Sequence, residues 1–217
     1  TATPGEVERM IHARERQQVA YFMRRLYQLR LTTTSGGNVS VRVGADRFAI
    51  TASSTDKARA RACEVAVIDL DGRNLTPELT PSSETSMHLR IYEECAEVGA
   101  VCHAHPPHLA AFVCSDAVLR LDLLAETYAL VDEPVVVPYY HSGSKELAEA
   151  VAAAAGRSSS ILMRNHAATA TGRTLLQAFN RIELLEDTAR LSLRCLHLPG
   201  VTGLSPTHRR ELDQQHR

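Results

Sequence analysis

His103-Ala104-His105 and, much later in the chain, Asn165-His166 offer three imidazoles, and Glu84, directly after Pro81-Ser82-Ser83, offers a carboxylate. In an extended strand alternate side chains point the same way. His103 and His105 can therefore present two nitrogens to one ion, while His166 supplies a third from elsewhere in the fold. Three protein ligands with a fourth position left open is the pattern of a catalytic zinc, or of another divalent transition metal with a taste for imidazole. A carboxylate beside such an ion can move a proton, so the set points to a metalloenzyme with Glu84 as its acid/base.

Each piece also has a plainer reading. A lone His-x-His is compatible with an ordinary polar strand face, and Glu84 with an early helix residue that favours the dipole behind an N-cap at Ser82 or Ser83. The framing favours chemistry. Pro106-Pro107 turns the chain after His105, and His166 ends the apolar run Ile161-Leu162-Met163 and opens the small-residue run Ala167-Ala168-Thr169-Ala170, which is expected to leave room for a substrate. A helix N-terminus with Ser82 and Ser83 can hold an anion. Gly36-Gly37-Asn38 is either a permissive turn or a close backbone approach to an anionic group. His12, His88, His108, His141, His197, His208 and His216 lack such framing and are expected to be solvated or satisfied by backbone partners.

The elements that must position these residues alternate between helical and extended patterns. Val7, Met10, Ile11, Phe22, Leu26 and Leu29 mark an amphipathic helix reaching about Arg30, followed by a polar loop from Thr32 to Gly37. Val39, Val41 and Val43 alternate with polar residues, and Phe48 to Thr51 and Val65 to Leu70 read as two further extended segments, the last closed by the turn Asp71-Gly72-Arg73-Asn74. A helix from Glu84 to about Glu94, a strand from Val98 to His103 and a short helix opened by the proline pair follow. Pro134 to Tyr140 predicts a strand, Lys145 to Ala155 a helix, Ile161 to Arg164 a strand, and Leu175 to about Leu198 a long helix. The chain reads as α/β without a dinucleotide-binding fingerprint.

Composition narrows the classes. At 217 residues, with no linker or internal repeat, residues 1–217 are expected to form a single domain. With 24 basic against 25 acidic residues scattered along it, the chain is not built for nucleic acid. The start lacks the apolar core of a signal peptide and no run is long enough for a membrane span, so no membrane partner and a cytoplasmic location are expected. The 5 cysteines are odd in number and lack a Cys-x-x-Cys pair, which fits reduced thiols rather than disulfides or a thiolate-bound zinc.

The ordered combination Ser35-Gly36-Gly37-Asn38-Val39-Ser40, Ile50-Thr51, Pro81-Ser82-Ser83-Glu84, His103-Ala104-His105-Pro106-Pro107 and Asn165-His166 resembles the class II aldolase/adducin family, which includes fuculose-phosphate aldolase. The resemblance covers the chain to about Leu198. It implies a three-layer α/β/α fold with a central, mainly antiparallel sheet, a homotetramer with active sites between subunits, and zinc or another divalent ion. It assigns His103, His105 and His166 as metal ligands and Glu84 as the acid/base. Ser35, Gly37 and Asn38 fall on the anion or enolate side, and Thr51, Ser53, Ser82 and Ser83 on phosphate contacts. Glu126 lies where family members place a residue that reaches into a neighbouring active site; its plain alternative is a surface helix residue.

Glutamate at position 84, where the epimerase branch usually has aspartate, favours the aldolase branch. The implied reaction is cleavage of a C–C bond in a hydroxy-carbonyl, sugar-phosphate-like small molecule through a metal-stabilised enediolate. The same site in this family also supports decarboxylation, dehydration or epimerisation, and the adducin branch keeps the fold as a non-catalytic binding protein. Two departures bear on the substrate. The turn Thr51-Ala52-Ser53-Ser54-Thr55 lacks the family's usual glycine and could crowd a phosphate, and Ala167 stands where a glycine usually follows the third histidine. A carboxylate substrate held by Ser53, Ser54, Lys57 or Arg173 is therefore a further expectation, with Lys57 and Arg173 as solvated charges the alternative.

Overall fold

A computed structural model describes residues 12–216. A seven-stranded sheet forms its centre, in the order β3-β2-β1-β4-β7-β6-β5. The strands are β1 (Asn38–Val43), β2 (Arg47–Thr51), β3 (Val65–Asp69), β4 (Ala100–Ala104), β5 (Val135–Val137), β6 (Ser160–Met163) and β7 (Ala167–Gly172). Every neighbouring pair is antiparallel except β5 with β6.

Helices cover both faces. On one side α1 (Ala13–Gln28), α3 (Pro107–Val113) and α6 (Leu175–Cys195) bury Met23, Leu26, Leu109, Phe112, Phe179 and Ile182 against Val39, Cys102 and Ala170. On the other, α2 (Thr85–Glu94) and α5 (Lys145–Ala155) bury Met87, Ile91, Leu147 and Val151 against Ile50, Val101 and Ile161. The result is the expected three-layer α/β/α architecture with a mainly antiparallel sheet. Two further helices, α4 (Ala125–Leu130) and α7 (Pro206–His216), and three single-turn 3-10 helices complete the described elements. No helix among the described residues is long and apolar enough to cross a membrane.

Several boundaries differ from the sequence reading for local physical reasons. Val7, Met10 and Ile11 lie outside the described residues, and α1 is described from Ala13. The Pro134–Tyr140 strand contracts to Val135–Val137 because Pro138 has no N–H to give to a ladder. In β1 Ser40 is fully buried beneath α2, since both faces of a helix-covered sheet are interior, while Arg42 towards the strand end is half-buried. The small residues after His166 form a central strand rather than space for a substrate. Ala168 and Ala170 are 0 % exposed, and their small side chains face the layer that holds Leu109 and Phe179. The helix Pro206–His216 has no counterpart in the sequence reading, and Ala125–Leu130 appears there only as the surface-helix alternative for Glu126.

A buried carboxylate fixes the chain just beyond the histidine pair. Glu186 of α6, 7 % exposed, accepts from the His108 amide at 3.1 Å and the Leu109 amide at 2.9 Å, and pairs with His108 Nδ1 at 2.7 Å. These are first-turn amides of α3, which have no partner inside their own helix. His108 is thereby turned toward α6. Glu186→Ala is expected to cost about 1–3 kcal/mol of unfolding free energy in urea titration. A loss below about 0.5 kcal/mol, the range of an ordinary surface change, would show that the carboxylate is not needed there.

Candidate active site

The antiparallel register lines up the polar residues of three strands. Asn38 of β1 is opposite His103 of β4, and His103 is opposite Thr169 of β7. All three side chains share the α2 face of the sheet, and His103 Nδ1 lies 3.1 Å from Thr169 Oγ1. That contact orients the ring so that Nε2 faces His105 and Glu84. His105 follows the end of β4, with its amide donating to Leu31 O at 2.9 Å. His166 sits in the β6–β7 hairpin turn beside Asn165, which adopts the left-handed conformation (φ 53°) that asparagine tolerates better than most residues.

The structure thus brings together the three histidines that the sequence places on two distant segments. Their rings are edge-on to one another, with centroids 5.1, 5.2 and 5.6 Å apart. One nitrogen from each lies within 4.8 Å of the others, and His103 Nε2 and His105 Nε2 are 3.2 Å apart. Tetrahedral coordination at the usual zinc–nitrogen distance of about 2.0–2.1 Å sets ligand nitrogens roughly 3.3 Å apart, so the donor set fits a divalent ion. His166 Nδ1 is buried without a partner. Burial, then the neighbouring imidazoles, pulls the His105 pKa down to about 4, and burial lowers that of His166. Neutral imidazoles are the form that ligates metal.

Glu84 is the N-cap residue of α2, yet its side chain makes no cap hydrogen bond. The cap position thus falls on Glu84 rather than on Ser82 or Ser83, while the Ser82 hydroxyl accepts from the Glu84 amide at 3.3 Å. The carboxylate, only 4 % exposed, turns inward. Its Oε2 accepts from Asn38 Nδ2 at 2.8 Å and meets His103 Nε2 at 2.9 Å. Its Oε1 accepts from Ser142 Oγ at 3.0 Å and lies 3.4 Å from His166 Nε2. Burial works against ionisation, but His103, Asn38 and His166 outweigh it and hold the carboxyl far below the usual carboxylate range.

Behind Glu84 is a buried chain of hydrogen bonds that the sequence reading did not find. His88, one turn along α2, was expected to be solvated or held by backbone. It is instead fully buried, with Nε2 2.5 Å from Asn38 Oδ1 and Nδ1 2.6 Å from Ser40 Oγ. Ser40 Oγ in turn lies 2.8 Å from Tyr92 Oη. The spacing Glu84-x-x-x-His88 on one helix was the available signal, because residues four apart share a face. Ser142, from the loop before α5, left no such trace.

The segments read as an anion side lie next to one another. Ala52 bridges Pro81 across an isolated antiparallel pair, the Ser53 amide donates to Thr80 O at 2.8 Å, and the Lys57 amide donates to Thr34 O at 3.0 Å. The turn after β2, the Ser82-Ser83 segment and the Thr34-Ser35 loop are thereby joined. Ser54 takes φ 54°, so this turn adopts the backbone conformation a glycine would favour without having one. Ser35 and Ser83 are exposed and Ser53 and Ser82 half-buried, whereas the Thr51 hydroxyl is committed to the Val39 amide at 3.3 Å. Gly37 (φ 69°) lies where a Cβ would come 2.9 Å from the His103 carbonyl.

Lys57 is not a solvated charge. It is 3 % exposed and its Nζ donates to Ala52 O at 2.9 Å and Thr55 Oγ1 at 3.1 Å, bracing the turn from behind. Arg173 lies four residues beyond Thr169, at the far end of β7, about 13 Å along the strand, and so is not at the histidines. Glu126 is an exposed residue in the first turn of α4 and is not among the groups gathered around Glu84.

Sequence comparison identifies residues 17–193 as a class II aldolase and adducin N-terminal domain. The chain belongs to this family. Among its relatives, a 3-oxo-tetronate 4-phosphate decarboxylase of Haemophilus influenzae is 32 % identical over 172 residues, covering 77 % of this chain and 81 % of the relative. An L-fuculose phosphate aldolase of Methanococcus maripaludis is 32 % identical over 169 residues, covering 78 % and 91 %. The solved structure of an L-fuculose 1-phosphate aldolase superposes with a TM-score of 0.83 at 27 % identity, covering 93 % of this chain and 95 % of that one. The chain is an enzyme of the class II lyase type, from a metal-dependent family, and its histidine cluster can bind a metal.

Burial presses the His88 pKa down to about 3, from an ordinary value near 6.5. The folded protein therefore keeps His88 neutral at pH values where the unfolded chain already protonates it. Stability from this residue is undiminished above pH 6.5 and falls as pH drops below that value, by up to about 1.4 kcal/mol per unit. His88→Gln is expected to flatten the dependence of unfolding free energy on pH between about 6.5 and 4, measured by urea titration at each pH. Parallel curves for the two proteins would contradict a buried, neutral His88.

Proposed function

We propose that the protein is a metal-dependent aldolase that cleaves a C–C bond of a sugar-phosphate-like hydroxy-carbonyl compound. The observation that carries this reading is the position of Glu84, whose two carboxylate oxygens lie 2.9 Å from His103 Nε2 and 3.4 Å from His166 Nε2 while Asn38 and Ser142 fix their direction. His103, His105 and His166 hold the ion, zinc by preference. When bound, it supplies a Lewis acid that stabilises the negative charge of an enediolate. Glu84 is the only carboxylate among the described contacts of these histidines, and it takes or returns the proton. Asn38 keeps the carboxylate aimed and is itself fixed by His88 on its other side.

On the anion side, Ser82, Ser83, Ser53 and Ser35 offer hydroxyls and Gly37 a close backbone approach. Thr51 shapes the turn, its hydroxyl being used within the sheet. This is the side where the phosphate of such a substrate binds. The names of the relatives support it, since the aldolase and the decarboxylase both act on phosphorylated compounds. A homotetramer in the cytoplasm, formed by one domain per chain over residues 1–217, completes the proposal, with Glu126 reaching a neighbouring subunit's site from its exposed position on α4.

Decarboxylation on the same residues is the second reading, favoured by the 32 % identity to the 3-oxo-tetronate 4-phosphate decarboxylase. Product analysis separates the two. Metal-loaded enzyme is expected to release an aldehyde from L-fuculose 1-phosphate, and Glu84→Gln to lower turnover by about 10²-fold or more while keeping its metal. Carbon dioxide from 3-oxo-tetronate 4-phosphate, without aldehyde from the other substrate, would replace the aldolase by the second reading. Full turnover in Glu84→Gln would remove Glu84 from the chemistry.

A further inference from the structure

A cavity of about 390 Å³ lies at the end of the sheet away from the histidines. His166 closes the β6–β7 hairpin at one end. Ser159 and Gly172 border the cavity at the other, about 17 Å along the strand from Ala167. Three arginines from separate segments line it: Arg157 after α5, Arg173 in the turn between β7 and α6, and Arg181 on α6.

Arg157 and Arg173 are exposed and Arg181 is half-buried, and protein groups compensate their charges only in part. Neither the Arg157 nor the Arg173 guanidinium has an ion pair or a side-chain hydrogen bond among the described residues. Arg181 gives Nη1 to Thr171 O at 2.7 Å, but its Nε is buried without a partner. Two carboxylates line the cavity together with the three arginines. Of these, Asp132 is already engaged by Ser159, whose Oγ lies 2.5 Å from Asp132 Oδ2, and Glu97 is exposed without an ion pair. The N-terminus of α6 is not the attraction, because the Thr174 hydroxyl already accepts from the Gln177 amide.

Like charges that collect in a concave site without partners raise the local potential and draw in anions. Guanidinium forks suit the oxygens of phosphate. We infer that this cavity binds the phosphate group of a small phosphorylated molecule, at a second site distinct from the one that holds Glu84. A tetrahedral dianion offers enough oxygens for three guanidiniums and overcomes the two carboxylates better than a single carboxylate ligand. The volume leaves room for a small organic body beyond the phosphate. The inference does not depend on which reaction occurs at the histidines.

Calorimetric titration of the full chain with inorganic phosphate, and separately with glycerol 3-phosphate, tests it. The component of wild-type binding that belongs to this cavity is expected to weaken roughly tenfold or more in Arg157→Gln/Arg173→Gln and to persist in Ser82→Ala/Ser83→Ala, which removes hydroxyls from the Glu84 site alone. Both arginines project without partners, so the double variant should keep its fold, checked by circular dichroism. Tighter binding of the ester than of inorganic phosphate would assign the organic body to the same cavity, while equal affinities would limit the site to the phosphate group. Unchanged affinity in the arginine variant, or loss in the serine variant instead, would overturn the inference. So would absence of binding together with dissociation of an oligomer in the arginine variant, because the cavity would then face carboxylates of a second copy.

Discussion

Holding a charged carboxylate in a dry interior requires compensation from every side, and Glu84 is the group around which this fold is arranged. A buried carboxylate without partners would shed its charge by taking up a proton. Here each oxygen is shared between a hydrogen-bond donor and an imidazole, and the partners come from β1, β4, the β6–β7 turn and the loop before α5. Four segments distant in sequence must therefore be placed to within a few tenths of an ångström for one side chain to remain ionised. The sheet register does most of that placing. Because Asn38, His103 and Thr169 are direct neighbours across three strands, a slip of one residue in either pairing would turn the polar row onto the opposite face and bury it against α1 and α6.

The same economy explains the supports. His88 reaches Asn38 and Ser40 at once, so α2 contributes both the carboxylate and the group that braces its donor, one helical turn apart. Lys57 plays a similar part for the turn after β2. Its ammonium is spent on Ala52 O and Thr55 Oγ1 rather than offered to solvent, and burial lowers its pKa. Such shells hold the reacting groups without touching them.

Much of this was legible in the sequence because it depends on local pattern. The strand alternation at Val39, Val41 and Val43, the proline pair opening α3 and the helix Lys145–Ala155 appear as read. The gathering of His103, His105 and His166 also follows from their segments once the family resemblance orders them. What the sequence hid depends on tertiary neighbours. Ala167–Gly172 has only Thr169 and Thr171 as β-branched residues and no large apolar side chain, because helices approach it closely, and so its small residues looked like empty space. His88 looked like one more unframed histidine until Asn38 and Ser40 faced it. Arg173 looked like a substrate contact because distance along a strand does not show in a list of residues. Ser54 adds a conformational point that residue types do not show: a non-glycine residue can hold a left-handed turn when its surroundings fix it.

The central claim is that His103, His105 and His166 form one metal site with Glu84 at its edge. Elemental analysis of protein purified without chelators, next to a His103→Ala variant prepared in parallel and both after zinc reconstitution, tests it most directly. The account predicts about one divalent ion per chain in the wild type and its loss in the variant. Metal-free wild-type protein, or equal metal in both, would contradict it.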